Sequence, residues 1–501
     1  MRFLVFVAAL SSAAATAAPG ALAAQASRPG AATTIGSTLS LADAVAIARR
    51  SNPGFQSTLN TRRTAAAAYR ATMGALLPSF SSSFGGEYRE GRPQIVQGQS
   101  FGSANSTLGT SGSISAGYSV ALGAFAERRA QRANVEATES DISAAEANLR
   151  IQVTYQYIAA LQSQARAILQ DTLLGTTASQ LELAKAKLQV GTGTQLDVER
   201  AEVTNGTQRV QALLAKNQVD IDKLKLFQQL GVEPVLSTQL EPLTSMILPT
   251  QSLDQILAMA RQSNPVLVSY QARERQQSEE VSVARSQYYP SLSLSAGLSG
   301  YTNRYTDTEL LIASGLSGAA QGKASCIRSE EVRAALNLSN QLSACNSIAF
   351  TPAQEAAIRS SQNQYPFGFT RSPYSISAQL SLPLFNGWRR EQSVDNASVQ
   401  RRNAQNNVRA QQLQLSADIT TAWLTLTTSQ QTVALQEQNA RTARLALSLA
   451  QERYRVGTIS LVELVTSRSD FDKAETDRIN AVYDFQRAFA QLEAAVGRPL
   501  R

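Results

Sequence analysis

This chain repeats itself. Ser51-Asn52-Pro53 returns as Ser263-Asn264-Pro265, and Leu76-Leu77-Pro78-Ser79 returns as Tyr288-Tyr289-Pro290-Ser291 at the same offset. Ser113-Ile114-Ser115-Ala116 comes back as Ser375-Ile376-Ser377-Ala378, and Val190-Gly191-Thr192 as Val456-Gly457-Thr458, both at a larger offset. A length of 501 residues would ordinarily suggest several domains, but landmarks kept in order make this a two-repeat protein. Extra residues enter the second copy between Leu298 and Ser375. We place the repeats at 39–250 and 251–501, behind a signal sequence over 1–23 and a linker over 24–38, with the insertion at 301–372.

Each repeat has three parts. A helical segment, Leu41 to Leu77 or Leu253 to Tyr289, runs up to a proline. Two alternating runs follow. From Ser291 to Leu298 every second residue is apolar, as in a strand with one apolar face. Ile376, Ala378, Leu380 and Leu382 repeat the pattern, as do Ile114, Ala116, Tyr118 and Val120, and more loosely Phe80, Phe84 and Tyr88. The opposite faces are Ser, Gly and Gln, without charge. The third part is a long helical hairpin. No proline occurs from Gln94 to Glu233 or from Leu384 to Arg498, and between Trp388 and Val496 the only glycine is Gly457. Ile479, Val482, Phe489, Leu492 and Val496 keep helical spacing, while Val135, Ile142 and Leu149 step as in a coiled coil. As one helix, Ala126 to Gln189 would run about 96 Å. Helices of that length must pack side by side in a bundle or tube.

Composition narrows the chemistry. The absence of histidine removes every Ser-His-Asp or Cys-His nucleophile, every imidazole base and any His-ligated zinc. Charged residues make up 17%, below the roughly 25% of soluble domains, and uncharged polar residues fill the gap. The net charge is +8, but Lys and Arg are scattered without a dense run, so nucleic acid is not an expected partner. Gly318 to Lys323 looks superficially like a phosphate loop, but its spacing and context fail. No cofactor and no bound metal are expected, and few Met with no His argue against soft-metal cargo.

Met1-Arg2, the apolar run Phe3 to Leu10 and the small residues ending at Ala21-Leu22-Ala23 have the form of a cleaved secretory signal. The apolar run is too short to span a bilayer, and no later window is apolar enough for a transmembrane helix. In an exported chain the only cysteines, Cys326 and Cys345, are expected to form a disulfide, two free thiols being the alternative.

Geometry then sets a demand. Four runs of about ten residues suit tilted strands crossing a bilayer. Four strands cannot close a barrel, and an open edge in lipid leaves backbone groups unsatisfied, so copies must associate. The apolar faces, with Phe80, Phe84, Ile114, Tyr118, Leu292, Leu294, Ile376 and Leu380, would meet lipid. The Ser/Gly faces would enclose a wet lumen.

These features resemble the TolC-like outer-membrane efflux proteins over nearly all of the chain, from Leu39 to Gly497. The resemblance is carried by the two helix–strand–strand–helix–helix repeats, the paired Val-Gly-Thr turns and the Ser-Leu-Pro-Leu-Phe-Asn-Gly stretch from Ser381 to Gly387. The first copy has only Val120-Ala121-Leu122-Gly123 there, without the proline. The resemblance implies a mixed α/β membrane protein: a long α-helical barrel of coiled-coil hairpins continuous with a transmembrane β-barrel, four strands per protomer and twelve per homotrimer. It implies the outer membrane of a Gram-negative bacterium, with the helical part in the periplasm. There it would be the passive exit duct of a tripartite efflux or type I secretion system, exporting small molecules or proteins, with a periplasmic adaptor protein and an inner-membrane pump as partners.

Its implications for single residues stand beside plainer readings. Gly191 and Gly457 read as helix C-caps. The resemblance adds that Val190, Gly191, Thr192, Val456, Gly457 and Thr458 form tips that meet the adaptor. Asp197 and Glu463, in the first turn of each return helix, are favoured there by the helix dipole alone. The resemblance adds that they line a closed tunnel mouth with Tyr454, although the family's arginine place is Ile459 and its second acidic place is Thr466. The 301–372 insertion reads as an outward-facing strand connection. An exported structural coiled-coil or adhesin trimer and an exported enzyme remain alternatives, separated from a channel by bilayer conductance and detergent dependence.

Overall fold

The computed structural model describes residues 36–500 apart from 93, 97, 98, 102–104, 244–248 and 340. The expected signal sequence and nearly all of the linker therefore lie outside the described residues. The first repeat runs α1 (Leu41–Ser51), α2 (Pro53–Gly74), β1 (Ser79–Arg89), β2 (Thr107–Ala121), α3 (Leu122–Gln189) and α4 (Gln195–Leu230). The second runs α5 (Leu253–Ser263), α6 (Pro265–Ser286) and β3 (Ser291–Tyr305), then the helical insertion α7 (Thr308–Ala335), α8 (Leu342–Asn346) and α9 (Pro352–Gln362). It closes with β4 (Ser375–Ser381), α10 (Arg389–Arg455) and α11 (Leu461–Val496).

Two compact units cut across the repeats. One takes the chain to Ala66, Ala133–Gln277 and Val399–Arg501; the other takes Ala67–Arg132 and Ser278–Ser398. The first unit is helical apart from one two-residue strand pair, and the second holds the long strands and the insertion.

The helical segments expected from Leu41 to Leu77 and from Leu253 to Tyr289 each consist of two helices parted at Asn-Pro. Proline lacks an N–H and pushes the residue before it out of the helical region; Asn52 and Asn264 accordingly have ψ of 118° and 117°. The break is put to use. Each asparagine Oδ1 accepts an N–H from the first turn of the next helix, that of Phe55 at 3.0 Å and that of Leu267 at 2.8 Å. Each Nδ2 donates to a carbonyl at the end of a return helix, Gln229 at 2.8 Å and Ala495 at 2.8 Å. Those helices end in Gly231 and Gly497, with φ of 75° and 84°. A β-carbon on Gly231 would stand 2.5 Å from the Ser51 carbonyl, and one on Gly497 2.6 Å from Pro265 Cδ. Around the first joint Ala44, Ala48 and Phe55 pack with Leu226, Phe227 and Leu230; around the second, Ile256, Ala260 and Leu267 pack with Leu492 and Val496. One motif thus makes the same joint twice.

Beside the first joint, Thr38–Leu39 pairs in parallel with Gln239–Leu240. The buried Tyr157 hydroxyl lies 2.8 Å from the carbonyls of both Leu39 and Glu241, and burial pushes its pKa up to about 12. The 301–372 segment departs from a plain connection. β3 continues to Tyr305, and three helices follow. Cys326 of α7 is bonded to Cys345 of α8, with Cα atoms 5.5 Å apart, and Arg359 of α9 pairs with Glu309 of α7 at 2.6 Å.

Candidate functional site

The long strands form one antiparallel sheet in the order β1-β2-β3-β4. Residues paired directly across strands share a face, so the register sorts the side chains. Phe80, Ala116, Ala296 and Ile376 form one rung; Tyr118, Leu294 and Ala378 another; Val120, Leu292 and Leu380 a third. Ser82, Ile114 and Leu298 make the next, and Phe84 pairs with Gly112. All eight apolar residues singled out from the sequence therefore stand on one face. The other face is hydroxyl. Ser79, Gly117, Ser295 and Ser377 share a rung, as do Ser81, Ser115, Gly297 and Ser375. Hydroxyls bond across the strands, Ser81 to Ser115 at 2.7 Å, Ser83 to Ser113 at 2.8 Å and Ser295 to Ser377 at 2.6 Å. Among the described residues, the outer edges of β1 and β4 are unpaired.

The chain leaves β4 through an apolar turn pinned from behind. Leu384 is 83% exposed, and Phe385 and Trp388 are also exposed. Buried Arg390 donates to the carbonyls of Pro383 at 2.7 Å and Leu384 at 2.8 Å, with its guanidinium 4.6 Å over the Tyr288 ring. No described helix is long and apolar enough to cross a membrane.

The hairpin turns share one backbone. Gly191 and Gly457 have φ of 77° and 81°, and a β-carbon on either would meet nothing within 4 Å, so conformation rather than room requires glycine. The Thr192 N–H donates to the Lys187 carbonyl at 2.9 Å and the Thr458 N–H to the Arg453 carbonyl at 2.8 Å. Val190 and Val456 are exposed beside them. Thr194 and Ser460 then cap α4 and α11.

The side chains beyond the turns differ. Asp197 completes a capping box, its Oδ2 accepting the Thr194 hydroxyl at 2.7 Å and N–H at 3.2 Å. Glu463 donates its backbone N–H to Ser460 Oγ at 3.2 Å, and its side chain is exposed. Tyr454 is only 5% exposed, packed among Ala184, Val198, Ala201, Leu447, Ala450, Leu461 and Leu464. Burial, and then the charge of Asp197, push its phenol above the ordinary value. Lys187 of α3 stands over the Tyr454 ring, Nζ 4.0 Å from the centroid, and donates to the Tyr454 carbonyl. The structure therefore gathers Asp197 and Tyr454 with a cation, and Glu463 is not part of that group. Ile459 packs against the same apolar cluster.

Further along, α10 and α11 are tied by a buried carboxylate. Burial alone would raise Glu475, but bonds from Arg478, at 2.7 Å, and Arg444 outweigh it and hold the carboxyl below its usual range. Among the described residues no cluster of three or more His, Cys, Asp or Glu is placed to hold a metal ion.

A duplicated chain with a two-faced sheet and paired helical hairpins finds its counterpart in a known family. The sequence matches the outer membrane efflux protein family over residues 44–232 and 256–498. The chain belongs to that family. It is 22% identical to outer membrane efflux protein BepC of Brucella suis biovar 1 (strain 1330) over 374 residues, covering 73% of this chain and 68% of BepC. Its fold is similar to that of CusC, with a TM-score of 0.68 at 16% identity and 92% of each chain covered. It is similar too to the Campylobacter jejuni outer membrane channel CmeC, with a TM-score of 0.67 at 16% identity, covering 91% of this chain and 85% of that one. The protein is thus an outer-membrane efflux channel with the helical-barrel and β-barrel fold of these relatives, and the family is a duct rather than an enzyme.

Sequence reasoning passed over three groups. Lys187 sits four residues before Gly191, where Arg453 sits before Gly457, and basic residues are favoured in a last helical turn; that was the available signal. Gly231 and Gly497 share the offset of the Val-Gly-Thr turns. Arg390 had no signal in the sequence that set it apart from its neighbour Arg389.

Proposed function

We propose that three copies close a twelve-stranded barrel, continue it as a helical tunnel in the periplasm, and serve as the exit duct of a tripartite efflux or type I secretion system. The observation that carries this reading is the sheet: two edges unpaired among the described residues, one face largely apolar from the Val120 rung to the Ile114 rung, and an opposite face rich in hydroxyls. Such a sheet in a membrane needs its edges joined, lipid on one side and water on the other. The helices support association as well. Val203, Val210 and Leu213 on α4, and Leu413, Leu424 and Leu435 on α10, are exposed in the single chain at spacings that place them along one stripe of each helix. The signal at 1–23 and the Cys326–Cys345 bridge agree with export.

In this reading the turns around Gly191 and Gly457 dock the adaptor, and Asp197, Tyr454 and Lys187 hold neighbouring hairpins together at the mouth, with Glu463 as a further acidic residue there. Small molecules and proteins are both admissible cargo for a passive duct. The test is reconstitution of the full chain in planar bilayers beside oligomer mass in detergent. Trimers that conduct are expected; monomers, or trimers without conductance, overturn the reading. Within it, Leu294→Arg should cost about 2–4 kcal/mol of barrel stability while Ser293→Arg is tolerated, read as yield of heat-modifiable oligomer.

A further inference from the structure

The apolar face changes character at the end of the sheet where the insertion attaches. Phe84, Gly112 and Gly300 share a rung that is bare on two strands, and the segment returning from the insertion lies across it. A β-carbon on Gly300 would stand 3.0 Å from Phe369 Cβ, and one on Gly112 3.8 Å from the Phe369 ring. Phe84 meets Phe369 edge-on at 6.0 Å and stacks on Phe367 at 6.2 Å. The Thr110 hydroxyl donates to the Pro366 carbonyl at 2.6 Å, and the Ser372 N–H to the Ser299 carbonyl at 2.9 Å. So fastened, Arg371 pairs with Gly300 and stands on the apolar face. Arg304 stands on the same face in the rung of Tyr88 and Leu108, about 13 Å further along the strand. Both arginines, Tyr88 and Phe367 are exposed. The rungs from Val120 to Ile114 carry no charge on this face, and Glu87 lies on the hydroxyl side.

We infer that Arg304 and Arg371 hold the phosphates of outer-leaflet lipids, with Phe84, Tyr88 and Phe367 at the level where acyl chains give way to headgroups. The inference rests on the reading of the sheet as a lipid-facing barrel wall. Dimensions agree with it. From the Val120 rung to the Leu108 rung a strand tilted at about 45° climbs about 28 Å, close to the roughly 25 Å apolar band of such barrels. Arginine is expelled from hydrocarbon but accepted at its boundary, its planar fork matches phosphate oxygens, and aromatic rings collect at the same level. The insertion then has a structural task, which is to supply Phe367, Phe369 and Arg371 to the rim.

The test uses the full chain in nanodiscs of phosphatidylcholine doped with lipid A or with lipid A stripped of its phosphates. Lipid retained by the released oligomer is counted by native mass spectrometry. The parent protein is expected to retain phosphorylated lipid A preferentially, and R304Q and R371Q to lose about fivefold each. The R304K/R371K variant should keep most of the preference, which guards against misfolding as the cause. Equal retention of both lipids by the parent, or unchanged retention in the double Gln variant, overturns the inference while leaving the barrel reading intact. Failure of the parent to enter the bilayer overturns both.

Discussion

Each repeat ends helices on glycine in two places, at the hairpin tip and at the joint near Asn-Pro, and the two places differ in kind. At the tips, Gly191 and Gly457 have open space around them. At the joints, Gly231 and Gly497 lie against the backbone of the opening helices, with no room for a β-carbon. The neighbourhoods follow suit. The joints keep the Ser-Asn-Pro motif, the closing glycine and both bonds of the asparagine amide in both repeats. The tips keep their backbone and the Val-Gly-Thr sequence, but their charged side chains meet different surroundings. Lys187 and Asp197 are engaged at one, while Arg453 and Glu463 are exposed at the other. Close packing forbids drift, and solvent permits it. A tip that holds its shape and the sign of its charges while those charges change partners suits a place where docking and gating are specified.

The sharpest way to break this contrast is to load both glycine classes alike. Gly231→Ala or Gly497→Ala combines a strained left-handed backbone with a β-carbon clash against backbone and should cost about 4 kcal/mol or more, abolishing the folded oligomer. Gly191→Ala or Gly457→Ala should cost about 1–2 kcal/mol and leave the oligomer intact. Yields of heat-modifiable oligomer compare the four; equal losses would erase the distinction.

A smaller effect probes the divergence between the tips. Lys187→Met should raise the open fraction of single channels about fivefold, the worth of one sheltered cation–aromatic contact, whereas Arg453→Met should leave it unchanged. Asp197→Ala removes a capping partner, about 1 kcal/mol, and should raise conductance more than Glu463→Ala. Together the two alanine changes should lower cation preference, measured as reversal potential in asymmetric salt. Matching responses from the two tips would mean that the duplication still governs them.

The smallest effect distinguishes the two joints by pH. Tyr157 corresponds, by the offset of the Val-Gly-Thr turns, to Trp423 in the second repeat, so only the first joint region carries the phenol. Its folded pKa, pushed up to about 12 by burial, lies above the ordinary 10.0, so the unfolded chain gives up its proton first. Its stabilising contribution is complete below pH 10 and is lost as pH rises towards 12. Tyr157→Phe should flatten that alkaline limb of the denaturation profile while costing about 1 kcal/mol at neutral pH. An unchanged limb would show that the hydroxyl is not held as described.

The large features were legible because they are periodic or repeated. Alternation located β1 to β4 and sorted Leu292 and Leu294 from Ser291 and Ser293, and the absence of proline marked α3 and α10. What escaped notice depends on meetings between distant residues. Lys187 reads as one more solvated lysine until Tyr454, 267 residues away, is brought beneath it. The Ala/Ser/Gly-rich stretch of α7 has too little apolar periodicity to announce a helix, and its order comes from Cys345 and Arg359 across the insertion. The break at Asn52-Pro53 was in plain view, since proline disfavours helix in the residue before it. Its purpose was not, because Gln229 supplies the other half.

The serine ladders of the sheet carry one more consequence. A hydroxyl has no fixed sense: it rotates to present a proton or a lone pair, and Ser81 and Ser115 exchange those roles without moving an atom heavier than hydrogen. Where these ladders face the passage of a closed barrel, they would give a travelling solute no preferred resting place. Each contact resembles the water it displaces, and no charge on these rungs marks a stopping point. Such a wall is slippery in the molecular sense. Cations, anions and neutral polar molecules would slide past it with similar friction, leaving discrimination to the acidic and basic side chains at the hairpin ends.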